Sequence, residues 1–214
     1  SLLLGTAVLL ATSLLAMGHL ATKTAIAQRQ AEDLINSLAQ VIPASLHDNN
    51  LLANRLEIPT KDGNQEVYLA VQGQAVTAVA YSRVTHEGYG GPIRLLLGIA
   101  GDSTLLGVRV LSHSETPGLG DKIEIAKSDW IQEFSGLSLI NPTTVQWAVK
   151  KDGGHFDQFT GATITPRAIV KEIKNGLLFF ENNRTTLLQA VKTQSSATTE
   201  PVKTTSDNRQ GGSQ

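Results

Sequence analysis

The sequence predicts an α+β domain that follows an N-terminal transmembrane helix. Three observations lead to this fold class: an uncharged apolar run at 2–21, paired short strands between 66 and 112, and apolar residues at helical spacing from Ile169 onward. Short connections of this kind join antiparallel strands, so we expect an antiparallel sheet with flanking helices. The predicted divisions are a transmembrane helix at 1–22, a juxtamembrane helix at 23–43, one domain at 44–190 and a polar low-complexity tail at 191–214.

The composition of the 214 residues excludes several classes of site. The net charge is −1 and no basic stripe with interleaved aromatic residues is present, which disfavours a nucleic-acid partner. There are no cysteines, which rules out disulfides, thiolate metal ligands and a thiol nucleophile. The five histidines form no pair at metal-ligand spacing, so no metal site is predicted.

The first element is the apolar run, which contains no Asp, Glu, Lys or Arg. A helix of about 20 apolar residues crosses a bilayer, so we expect residues 2–21 to lie in lipid. A cleaved signal peptide is the alternative, because Ala25-Ile26-Ala27 offers a small-x-small cleavage site. We favour the retained helix because the chain still contains it. Lys23 and Arg29 on its C-terminal flank weakly favour a cytoplasmic position for that side.

The next element is a helix at 24–42, which carries a single apolar stripe and is ended by Pro43. Residues 44–65 are polar and are expected to be irregular. Two hairpins follow, and the segments they join are 66–71 with 75–82, and 92–100 with 104–112. The last strand shows alternation at Leu106, Val108 and Val110, while residues 87–92 have the composition of a loop.

The second half of the domain is expected to hold helical pieces between 122 and 136, a strand at 145–149 and a second helix. Thr165 is a good N-cap for that helix and Pro166 suits its first position. From about Thr193 the chain is too polar to bury its own surface, so we expect the tail to make few contacts with its domain or to lie on a partner. The core residues expected from this half include the aromatic side chains Trp130, Phe134 and Trp147.

Small and hydroxyl-bearing residues precede this helix. Gly161 and Ala162 leave space beside the backbone, and Thr160, Thr163 and Thr165 surround that space with hydroxyls. A helix N-terminus presents free N–H groups and a partial positive charge, which suits a phosphate. From the residues alone, however, a loop and helix cap is the simpler interpretation, and residues 115–120 are most simply a tight turn with a solvated glutamate.

Two segments of the chain together resemble a known family. They are His113-x-Glu115-Thr116-Pro117-Gly118-Leu119-Gly120-Asp121-Lys122 and Asp157-x-x-Thr160-Gly161-Ala162-Thr163. They look like the covalent-FMN domain shared by the G subunit of the Rnf (Rsx) electron-transport complex and the C subunit of the sodium-translocating NADH:quinone reductase. The run at 147–154 resembles the Rnf subunit more closely.

The resemblance implies an electron-relay subunit of a membrane-bound ion-translocating oxidoreductase, with no substrate turnover by this chain alone. FMN would be esterified to Thr163 by a separate flavin transferase that recognises Asp157. The partners implied are the other Rnf/Rsx subunits, and the location is the bacterial inner membrane with the domain on the periplasmic side. This placement disagrees with the indication from Lys23 and Arg29, and we follow the resemblance. The further cofactor-binding residues expected are Glu115, Thr116, Pro117, Gly118, Leu119, Gly120, Lys151, Thr160, Gly161, Ala162 and Thr165.

Within that site we expect the backbone N–H groups of the 116–120 turn to bind the flavin carbonyls and Leu119 to cover a ring face. Two other functions remain open. One is a membrane-anchored binding module with no redox role, in which Thr163 is only part of a helix cap. The other is a soluble flavoprotein, released by cleavage near Ala27, that turns over its own substrate.

Overall fold

The computed structural model describes residues 5, 12, 29, 31–61 and 63–197. Its centre is a five-stranded antiparallel sheet with the strands in chain order, which confirms the predicted sheet. The strands are β1 (Arg55–Thr60), β2 (Gly63–Gln72), β3 (Ala75–Gly88), β4 (Gly91–Ala100) and β5 (Leu105–Ser112). Strand β1 lies in the stretch that was expected to be irregular, so that expectation was wrong for these residues.

The two predicted hairpins are parts of one continuous meander. Strand β3 extends to Gly88 and pairs there with Gly91 at the start of β4, so the expected loop at 87–92 is reduced to a turn at Tyr89 and Gly90. The alternation predicted for β5 also fails at Leu106, because the register shifts by one residue between Gly98 and Ile99. Leu106 therefore lies on the opposite face of the sheet from Val108.

Helices cover both faces of the sheet. Helix α1 (residues 31–41) packs on one face and helix α2 (Ile164–Ala197) packs on the other. In β3, Ala78 faces α1 and Val79 faces α2, so the strand is buried on both sides. Gly98 lets α1 lie directly on β4, since a Cβ at this position would overlap the Val41 carbonyl.

Helix α2 is hydrogen-bonded to β3 near Glu172 and Gly176, and it extends beyond the apolar pattern. The Tyr81 hydroxyl donates to the Gly176 carbonyl at 2.8 Å, and Arg83 Nε donates to Glu172 at 2.7 Å. The helix continues to Ala197, past both the predicted boundary at 190 and the polar stretch expected from about Thr193. Residues 198–214 of the predicted tail lie outside the described residues.

The segment between β5 and α2 is built from short 3-10 turns around an aromatic core. The turns are Gly120–Ile123, Asp129–Phe134, Thr144–Gln146 and Lys150–Asp152, with a further one at Ala44–Leu46 after α1. The prediction of a strand at 145–149 is therefore wrong, and Val149 makes only an isolated β-bridge with Phe156. Three aromatic residues are confirmed as core: Trp130, Phe134 and Trp147.

The N-terminal membrane span stays a prediction. Apart from Gly5 and Thr12, residues 2–21 lie outside the described residues. Among the residues that the structure does describe, none belongs to a helix both long and apolar enough to cross a membrane.

Candidate functional site

Helix α2 begins at Ile164, two residues earlier than predicted, and this changes which threonine caps it. The Thr163 carbonyl accepts the N–H of Arg167 at 3.4 Å, so Thr163 occupies the cap position instead of Thr165. The prediction was wrong because proline is tolerated throughout the first helical turn, where its missing N–H would have no intrahelical partner. The N–H groups of Ile164 and Thr165 have no acceptor in the described part of the chain, and the positive end of the helix dipole lies at Thr163.

An aromatic cluster fixes the path of the chain just before this cap. Phe156 stacks on Phe134 with ring centroids 4.6 Å apart, and Phe159 meets Trp130 edge-on at 5.0 Å. The Trp130 indole N–H donates to the Asp157 carbonyl at 2.9 Å. Offset and edge-on ring pairs are the favoured aromatic geometries, so the hydrophobic core holds the segment that leads to Thr163.

Glu115 joins the loop after β5 to two other segments. Its Oε2 accepts the Thr165 hydroxyl at 2.6 Å and its Oε1 accepts the Gly90 N–H at 3.1 Å. The side chain is not solvated, since the residue is 6% exposed. Gly120 packs against it so closely that a Cβ there would lie 2.5 Å from Oε2. Because hydrogen bonds to a carboxylate are among the stronger ones, Glu115 ties the β3–β4 turn and the start of α2 together.

His113 supports Glu115 from behind. Its Nδ1 accepts the Glu115 N–H at 3.0 Å, so its Nε2 carries the ring proton and donates to Glu124 at 2.8 Å. Both ring nitrogens of His113 are therefore engaged in hydrogen bonds within this part of the domain.

A cavity opens between the β3–β4 turn, the loop after β5 and the start of α2. Its volume of about 330 Å³ is within the range of about 300–1,000 Å³ typical of small-molecule pockets. Most of the residues predicted for the site line it: Glu115, Thr116, Leu119, Gly120, Gly161, Ala162, Thr163 and Thr165. Four predicted residues are not part of the lining: Pro117, Gly118, Lys151 and Thr160.

The turn at 116–120 contributes the side chain of Leu119 to the cavity, while two of its backbone N–H groups are bonded within the turn. The N–H groups of Leu119 and Gly120 both donate to the Thr116 carbonyl, at 3.1 and 3.2 Å, so these two cannot serve a ligand as expected. Leu119 itself is 43% exposed at the cavity. Gly161 faces it with a φ of +82°, a conformation that side chains rarely adopt, and a Cβ there would lie 3.6 Å from Leu119 Cδ2.

Two exposed ion pairs flank the start of α2. Lys150 Nζ lies 2.7 Å from Asp157 Oδ2, and the Arg167 guanidinium bonds both oxygens of Asp152 at 2.5 and 2.8 Å. The hydrogen bond from Arg167 holds the pKa of the Asp152 carboxyl below its ordinary value of 3.8. Lys151 lies on the same outer surface, where its backbone N–H donates to Gln158 at 3.1 Å.

Two residues that line the cavity were not predicted. Tyr89 is 71% exposed and Ile164 is 46% exposed, and both contribute to the lining. Tyr89 was overlooked because its glycine-rich surroundings have the composition of an ordinary loop. The available signal was an aromatic residue placed between glycines at a turn that joins two strands.

Comparison with known proteins bears on the same residues. Residues 88–178, which include every residue lining the cavity, match the FMN-binding domain family. The G subunit of the ion-translocating oxidoreductase complex from Cereibacter sphaeroides is 54% identical over 188 residues, covering 87% of this chain and 85% of the relative. The proteins of the same name from Stutzerimonas stutzeri and Shewanella loihica are 47% and 46% identical, and they cover 84% and 87% of this chain and 78% and 90% of the relatives.

Proposed function

The chain belongs to the family formed by the G subunits of ion-translocating oxidoreductase complexes, and we propose that it relays electrons within such a complex through FMN joined to Thr163 by a phosphoester. The observation that carries the proposal is the position of Thr163. Thr163 caps α2, lines the cavity and lies next to two backbone N–H groups that lack acceptors in the described chain.

The donor set around Thr163 fits a phosphorylated, planar ligand. A phosphodiester keeps one negative charge, and a helix N-terminus stabilises such a charge by about 0.3–1 kcal/mol. The N–H groups of Ile164 and Thr165 would bind its oxygens, as helix N-termini do. Leu119 and Ile164 present apolar surface to the cavity, which suits a flavin ring. The Glu115 carboxylate also lines the cavity, and both of its oxygens already accept hydrogen bonds, from Thr165 and Gly90.

The attachment itself requires another enzyme. Within the described residues, the Thr163 hydroxyl has no hydrogen-bond acceptor, so no group of the chain is poised to take its proton and activate it. Asp157 and Thr160 are exposed in the segment that precedes Thr163, where a flavin transferase can recognise them. Bound FMN would supply the electron-transfer chemistry, and the residues of this chain would tether, orient and cover it.

The proposed setting is the bacterial inner membrane, with residues 2–21 as a single span and the domain on the periplasmic side. The partners are the other Rnf/Rsx subunits, and this chain alone turns over no substrate. Protease added to intact spheroplasts should digest the domain. Full protection of the domain until the cells are lysed would place it in the cytoplasm instead.

Intact mass spectrometry tests the attachment site. Protein co-expressed with the transferase should gain the mass of one FMN less one water, because the ester forms with loss of the elements of water. Thr163→Val should abolish the gain, and Thr163→Ser, which keeps the hydroxyl, should retain it. A Thr163→Val protein that still carries covalent FMN would show that another hydroxyl is the site, and an unmodified wild-type protein would favour the binding module.

A further inference from the structure

Tyr89 is an exposed aromatic residue at a ligand-sized cavity. It lines the cavity while 71% of its surface is in solvent, and its hydroxyl has no hydrogen-bond partner in the described chain. An aromatic side chain buries 150–250 Å² when it is covered, which makes it an effective contact for a planar ligand. Its substitution should also leave the fold intact, because the side chain contributes little to the core.

The turn that carries Tyr89 is held against the rest of the site. The Gly90 N–H donates to Glu115 Oε1 at 3.1 Å. A Cβ on Gly88 would lie 2.8 Å from the same oxygen, and a Cβ on Gly90 would overlap the Ser114 carbonyl. Hairpin tips are commonly mobile, but this one contacts the 113–116 segment on both sides of Tyr89. The backbone of Tyr89 is therefore fixed relative to the cavity.

Two other segments contribute apolar side chains to the cavity lining. Leu119 comes from the loop after β5 and Ile164 from the start of α2, and both are partly exposed there. Tyr89 comes from a third segment, the β3–β4 turn. Aliphatic side chains from two segments and an aromatic one from the third thus surround the space next to Thr163.

We propose that Tyr89 covers one face of the isoalloxazine ring, and that Glu115 is the positioning residue that holds Tyr89 there through Gly90. The inference rests on the proposed attachment of FMN to Thr163. It assigns the aromatic contact of the site to a residue outside the two segments that define the family resemblance. Phenol and isoalloxazine rings would pack offset or edge-on, as aromatic pairs do.

Quenching of flavin fluorescence by neutral acrylamide measures how open the ring is. In the flavinylated full-length protein, the bimolecular quenching constant, from Stern–Volmer slopes and lifetimes, should rise in Tyr89→Ala towards the value for free FMN. Tyr89→Phe should match the wild type, because the ring and not the hydroxyl provides the cover. Ile140→Ala is the control, since Ile140 is also an exposed apolar residue but does not line the cavity.

A second set of variants tests the role of Glu115. Glu115→Ala should raise the quenching constant although Tyr89 is still present, because the Gly90 N–H loses its acceptor. Glu115→Gln should restore the wild-type value, since an amide oxygen can accept the same hydrogen bond. Glu115→Ala with wild-type quenching would refute the positioning role.

Intact mass separates failure of this inference from failure of the attachment. Unchanged quenching in Tyr89→Ala protein that carries one FMN would overturn the ring contact and leave the attachment intact. Wild-type protein without FMN would overturn the attachment and this inference with it.

Discussion

The hydrogen bond between Thr165 and Glu115 should contribute measurably to stability. Thr165 is fully buried, and its hydroxyl lies 2.6 Å from Glu115 Oε2. Thr165→Val keeps the shape of the side chain but leaves that oxygen buried without its donor. Removing a hydrogen bond to a charged group costs about 1.5–3 kcal/mol. For a chain of about 150–250 residues this corresponds to a fall in Tm of about 3–12 °C.

Thermal unfolding of the full-length protein, followed by circular dichroism, measures this loss. Thr160→Val is the matched control, because it makes the same chemical change at an exposed threonine and should shift the free energy of unfolding by no more than about 0.5 kcal/mol. The double mutant Thr165→Val/Glu115→Gln should show coupling of about 0.5–3 kcal/mol between the two sites. Equal Tm values for Thr165→Val and Thr160→Val would mean that the contact does not stabilise the domain.

Two further predictions concern the packing of α1 and the ion pair at the start of α2. Gly98→Ala should cost about 1–3 kcal/mol, as overpacking does, because its Cβ would overlap the Val41 carbonyl. The partner position Gly107→Ala should cost less in the same urea titration, since its nearest neighbours would lie 3.4 Å away. The Asp152 carboxyl should titrate below 3.8 by NMR, and Arg167→Gln should raise that pKa towards 3.8. Because the folded-state pKa is lowered, the pair stabilises the domain above pH 3.8, and this contribution should disappear as the pH falls through the lowered pKa.

The strands that were predicted correctly are recognisable from short stretches of sequence, because neighbouring strands are joined by glycine-containing turns. The hairpin formed by β2 and β3 turns at Gly73, whose φ of +64° suits glycine. Strand β1 was missed because it is a short edge strand that contains Pro59 and therefore lacks the composition of a central strand. The strand expected at 145–149 failed for the opposite reason, since Val145 has high strand propensity but is 87% exposed in a 3-10 turn.

Some features of the candidate site could likewise be predicted from the sequence and others could not. The two segments around Glu115 and Thr163 could be recognised from the chain, because their residue types and order are visible there. The start of α2 could not, because Thr165 and Thr163 are both good caps by residue type. What separates them is Glu115, which lies 50 residues before Thr165 and accepts its hydroxyl.

Residue order along the chain was therefore enough to predict an antiparallel sheet and a helix behind a hydroxyl-rich turn, and the family resemblance joined the two segments into one site. Folding decided which threonine caps the helix, which backbone N–H groups lack acceptors in the described chain, and that Tyr89 joins the cavity. The physical reason is that strand pairing and helix periodicity are local patterns. Contacts such as those of Glu115 with Gly90 and Thr165 depend instead on where the sheet places distant turns.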